Sequence, residues 1–125
     1  MVWHKRRALF RWLAANMLLV WPAAGLAQTG PQSVNFSASQ ASAGKREYTK
    51  HCAACHGVDL AGIHLAPSVV GDRFDRTWRG KPADVLAFHV RRMPPKTVAN
   101  RADLSEEDYT SILAYILQSN GFAAG

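Results

Sequence analysis

The clearest pattern of apolar and polar positions lies near the C-terminus. Tyr109, Ile112, Leu113, Ile116 and Leu117 recur at i, i+3, i+4, i+7 and i+8, which predicts a helix with one buried stripe. Ser105 is a good cap for it, and Glu106, Glu107 and Asp108 fill the first turn, where the helix dipole favours anions. Asn120 and Gly121 stop it. A second helix is expected to begin at Ser42 as cap and run towards Cys52, with Gly44 and Tyr48 on one face. Pro82 starts a short third one, in which Val85, Leu86, Phe88 and Val90 supply apolar surface. Gly57 to Trp78 is rich in Gly, Pro and Asp and reads as a loop. No run of alternating β-branched residues is long enough to build a sheet, so the expectation is an all-α domain.

The N-terminus follows a different logic. Lys5, Arg6, Arg7 and Arg11 stand without an acid before an apolar run from Trp12 that ends in AAGLAQ. Basic region, hydrophobic region and small residues are the order of a secretory signal peptide. Trp12 to Ala27 is 16 residues and holds Asn16, Pro22 and Gly25, whereas a spanning helix wants about 20 apolar residues. Residues 1–27 are therefore expected to be a leader cleaved after Ala27, residues 28–40 a polar, flexible segment and 41–125 the domain, placed in the periplasm. The competing expectation is a leader retained as a membrane anchor. Paired Arg6 and Arg7 hint at twin-arginine export, but paired arginines are common in any basic leader.

Charge changes meaning once the leader is set aside. The full chain of 125 residues carries +6, with 15 Lys or Arg against nine acids. Four of those bases belong to the leader, so the remainder carries only +2 and a nucleic-acid reading loses its main support. Distribution is more informative: residues 72–101 hold eight bases against three acids, and residues 102–125 hold four acids and no base. Such asymmetry suits the orienting of a charged partner.

Two cysteines remain, in KHCAACHG. A disulfide between Cys52 and Cys55 would close too small a loop to stabilise an exported chain. Structural zinc wants four Cys or His ligands in spaced pairs, and no second pair follows; His51 or His64 would have to complete the set. A thioredoxin-like site needs a βαβ setting and leaves His56 without a role. The haem reading uses every residue: CxxCH is the attachment signature of c-type haem, with thioethers from Cys52 and Cys55 and His56 as iron ligand.

With those residues in view, a wider resemblance follows. Gly44 and Tyr48, CAACHG, APSVVG, RRMPP and LSEEDYTSILAYILQSNGF occur in an order that resembles the monohaem class I c-type cytochromes over Ala41 to Phe122. The resemblance implies a small all-α cytochrome c fold, three to four helices and loops wrapped around one covalent haem c. It implies Met93, the one methionine outside the leader, as second iron ligand, with His89 the rival. The carbonyl of Pro67 is implied to accept a hydrogen bond from His56. Trp78, with Arg79, Arg91 and Arg92, falls in segments the family places near the haem propionates, Trp78 first among them. Packing of Gly44 and Tyr48 against Ile112 and Tyr115 is implied as well.

The function expected is one-electron transport in a respiratory chain, without catalysis of its own. Donor and acceptor are redox proteins, and the C-terminal motifs are similar to cytochrome subunits that take electrons from periplasmic dehydrogenases, quinoproteins included. The basic segment flanking Met93 is expected to steer an acidic partner. No nucleic acid is expected, and membrane contact only through a partner or a retained leader. Two other readings stay open: a haem subunit of a membrane-bound dehydrogenase or oxidase, and, if Met93 is not a ligand, an open-site peroxidase or gas sensor.

Overall fold

The computed structural model describes residues 35–98 and 103–125. The leader, and residues 28–34 of the segment after it, lie outside the described residues, as does Arg101 of the basic stretch. Five helices follow one another: α1 (Ala38–His51), α2 (Ala53–His56), α3 (Gly71–Thr77), α4 (Ala83–Val90) and α5 (Glu106–Ser119). Among the described residues there is no strand, only an isolated bridge between Ile63 and Ala66. The fold is the small all-α arrangement expected, with one single-turn helix and one additional short helix.

The two long helices, α1 and α5, make the frame. A Cβ on Gly44 would collide with the backbone of Ser111 and Ile112, so glycine is what lets the two helix axes come this close. One turn further, Tyr48 is 1 % exposed and meets Tyr115 edge-on at 5.4 Å between ring centroids. On the α5 side the predicted stripe is buried throughout: Tyr109, Ile112, Leu113, Ile116 and Leu117. Its cap is also as expected, Ser105 accepting from Asp108 N while the Asp108 carboxylate accepts from Ser105 N.

The start of α1 differs from expectation. Ser37, not Ser42, is the cap, in a capping box with Gln40. The hydroxyl of Ser42 instead donates back to Ala38 O at 2.9 Å, a bond a serine inside a helix commonly makes. Phe36 is buried and its carbonyl accepts from Gly125 N at 3.1 Å. The polar composition around it hid a signal that was present: Ser-x-x-Gln is itself a helix-start signature.

Residues 57–78 are not all loop. Helix α3 forms within them, burying Phe74 completely. Seven residues with a single large apolar side chain carry too little periodicity to be recognised from spacing. In α4, capped by Pro82, Leu86 is buried, but Phe88 is largely exposed rather than part of the core, with the Arg92 guanidinium 5.0 Å over its ring. No described helix is long and apolar enough to cross a membrane.

Candidate functional site

The corner between α1 and α2 carries the cysteine motif. Cys52 ends α1 and caps α2 at once, and its carbonyl accepts from Cys55 N at 3.1 Å and His56 N at 2.9 Å. Cys52 and Cys55 thus sit one short turn apart, with His56 closing that turn. Gly57, at φ +82°, sends the chain out of the helix, and Gly62 N reaches back to His56 O at 2.7 Å. The hydroxyl of Tyr48 donates to Gly57 O at 2.8 Å, so α1 holds the exit of the motif as well as its entrance.

The His56 ring has a defined proton. Its Nδ1 lies 2.8 Å from the Pro67 carbonyl, an acceptor only, so Nδ1 is the donor and Nε2 is the nitrogen left for a metal. A histidine braced in this way is oriented and more basic at the other nitrogen, which suits a metal ligand. Cys52 is not poised to attack a disulfide. Burial, with the neighbouring Cys55 adding to it, pushes the Cys52 thiol up to about 11, whereas exchange needs an accessible, acidified thiol.

These residues open onto a cavity of about 570 Å³. Cys52, Cys55, His56 and Pro67 line one part of it; Phe74, Trp78, Leu86, Val90, Leu104, Ile112 and Ile116 form apolar walls; and Met93 enters from the segment after α4. A pocket that takes a large organic ligand has this size and this lining, with about 300–1,000 Å³ as the usual range. Every attachment and ligating residue of the CxxCH motif borders it, so the residues present fit a haem c.

Met93 is 39 % exposed, and its backbone is held by α4 and α5: Met93 N donates to Val90 O at 3.0 Å, and its carbonyl accepts from Tyr109 Oη at 2.9 Å. His89 also borders the cavity, its Nδ1 2.9 Å from Val85 O and its ring 4.8 Å from that of Trp78. His64 is exposed and does not border the cavity.

The arginines sort differently from expectation. Arg79 is turned to Asp75 at 2.6 Å and Asn120 O at 2.8 Å, Arg91 to Glu106 at 2.8 Å, and Arg92 to Phe88. None of the three lines the cavity, whereas Arg73, near the start of α3, does. Sequence reasoning passed over Arg73 because α3 itself went unrecognised; one turn of α3 places Arg73 and Thr77 on the cavity side together.

Comparison with known proteins gives the family of the chain. Searches of curated proteins and of solved structures returned no significant match. A comparison with known families matched residues 39–116, which run from the first turn of α1 through the CxxCH corner and the Met93 segment into α5. That span takes in all of the cavity's helices, and on it the chain belongs to the family described as cytochrome c oxidase, cbb3-type, subunit III, as a c-type cytochrome domain for haem-based electron transfer.

Proposed function

We propose that this protein is a periplasmic one-electron carrier with a single haem c, held by thioethers to Cys52 and Cys55 and ligated by His56 and Met93. When bound, the haem supplies the ferric/ferrous couple, set towards high potential by histidine and thioether ligation. The observation that carries the reading is the shared cavity of about 570 Å³ bordered by Cys52, Cys55, His56 and Met93.

The chain's own residues have distinct tasks in this reading. His56, braced by Pro67 at Nδ1, has Nε2 as its ligating nitrogen. The apolar walls from α3, α4 and α5 exclude water, which keeps the reorganisation that accompanies a change of charge small. Trp78 and Arg73 offer an indole N–H and a guanidinium at the cavity, and a carboxylate is what such donors pair with. Basic residues of α3 and of the segment around Met93 orient an acidic partner. Exchange rates with a partner that do not change with ionic strength would remove that last point.

Two experiments test the core of the proposal. Acidified organic solvent should leave the haem on the protein, because thioethers do not dissociate; extraction into the organic phase would contradict covalent attachment. A redox titration should fit a single one-electron step.

A second reading has a specific observation behind it. The matched family is described as an oxidase subunit, which favours a haem subunit of a larger oxidase over a free carrier, and nothing in that match favours a quinoprotein donor. The N-terminal residue of the purified protein separates them: Gln28 supports a released carrier, and Met1 or Val2 supports a tethered subunit.

A further inference from the structure

Tyr109 stands apart on the buried stripe of α5. Ile112, Leu113, Ile116 and Leu117 carry no polar atom beyond the backbone, and packing alone accounts for them. Tyr109 is 7 % exposed and equally packed, yet it ends in a hydroxyl that reaches out of the stripe to the Met93 carbonyl at 2.9 Å. An apolar ring would fill the space as well, so the hydroxyl needs its own explanation.

The Met93 segment needs a tether at this point. Its own N–H is satisfied by Val90 O. Pro94 and Pro95 follow and have no N–H to give, so the next backbone donor is Lys96. Among the described residues, the Tyr109 bond is the one hydrogen bond joining α5 to residues 92–98. One turn earlier on α5, Glu106 accepts from Arg91 Nε at 2.8 Å, a second link between the same two regions. The two differ in setting: the Arg91 and Glu106 side chains are 45 % and 75 % exposed. Such an ion pair is screened by water and contributes little. The Tyr109 bond is part-buried, where a hydrogen bond counts for more than a surface ion pair.

We propose that Tyr109 is a positioning residue whose hydroxyl governs how readily the Met93 segment swings away from the cavity. The proposal rests on the reading of Met93 as an iron ligand. Through the carbonyl, Tyr109 restrains the residue that carries the thioether. Met93 is partly exposed, so ligands from solvent compete for its place, and the hydroxyl sets the terms of that competition.

The test is a titration of the ferric holoprotein with imidazole at fixed pH, followed by loss of the sulfur-to-iron absorption band and run well below the melting temperature. Tyr109→Phe removes one oxygen and keeps the ring. It should bind imidazole about fivefold more tightly than the unmutated protein, the size of one net hydrogen bond in a part-buried setting. Glu106→Gln, at the surface, should change the affinity by about twofold or less. A purely packing role predicts a lower melting temperature for Tyr109→Phe with the same imidazole affinity. That result overturns the proposal, as does an effect of Glu106→Gln as large as that of Tyr109→Phe. If the unmutated protein lacks the band, the Met93 reading fails and takes this proposal with it. If the band is present and Tyr109→Phe behaves as the unmutated protein, only the role of Tyr109 fails.

Discussion

His56 Nδ1 donates to the Pro67 carbonyl at 2.8 Å, and Gly62 backs directly onto the turn that supplies that carbonyl. At φ +79°, a Cβ on Gly62 would collide with Ser68 N, Pro67 C and Ala66 O, all backbone atoms that have to shift. Gly62→Ala should therefore cost about 2 kcal/mol or more of stability and loosen the His56–Pro67 bond. A less basic His56 donates less to ferric iron, so the midpoint potential should rise. Denaturant unfolding and potentiometry check the two effects; lost stability with an unchanged potential would mean that the turn does not tune the ligand.

A cavity of about 570 Å³ has to be filled. Its walls are largely apolar side chains of α3, α4 and α5, which stay in contact with water until a ligand covers them, and a domain this small has little other core to hold it together. Protein made without haem, or with both cysteines changed to serine and the haem extracted, should show little helix by circular dichroism and no cooperative thermal transition. A sharp transition in haem-free protein would show that α1 and α5 carry the fold unaided.

Arg73 borders the cavity, while Arg91 is engaged by Glu106 outside it. If the guanidinium of Arg73 faces a haem carboxylate, Arg73→Gln should lower the midpoint potential's independence of pH: the carboxylate, no longer held ionised, titrates closer to neutrality and couples its proton to reduction. Arg91→Gln should leave the potential and its pH profile unchanged. Equal responses from the two variants would contradict the assignment.

Asp108 closes the cap of α5, and its hydrogen bonds from the Ser105 hydroxyl and Ser105 N hold its carboxyl below the usual carboxylate range. A group whose folded-state pKa is lowered adds stability above its unfolded value, about 3.9 for Asp, and that stability is lost as pH falls through the lower folded value. Asp108→Asn should accordingly flatten the acid limb of the melting-temperature curve below about pH 4 and leave the visible spectrum at neutral pH untouched. An acid limb identical in both proteins would show that the cap does not contribute to it.

What could be read from the sequence follows from where the physics is local. CxxCH, the α5 stripe with its Ser105 cap, and the Gly44–Tyr48 face are set by neighbours in sequence, and each is found as expected. The Pro67–His56 contact spans eleven residues and was legible only through a family resemblance, because no spacing rule forecasts where a loop returns. Helix α3, and with it Arg73, was illegible for a different reason: its stability comes from burying Phe74 against the core, not from a periodic pattern. The Ser37 cap lies in plain view, immediately before a helix whose first turn is hidden by its small polar residues. The bonds from Arg79 to Asn120 and from Arg91 to Glu106 join groups far apart in sequence, which only folding brings together.

The central claim is that His56 and Met93 together close the iron, and the most direct measurement is the spectrum of Met93→Ala beside the unmutated protein in both oxidation states. The account predicts that the ferric sulfur-to-iron band is lost in the variant and that carbon monoxide binds its reduced haem but not that of the unmutated protein. Identical spectra, with carbon monoxide excluded from both, would contradict it and place another residue that borders the cavity, His89 first among them, on the iron.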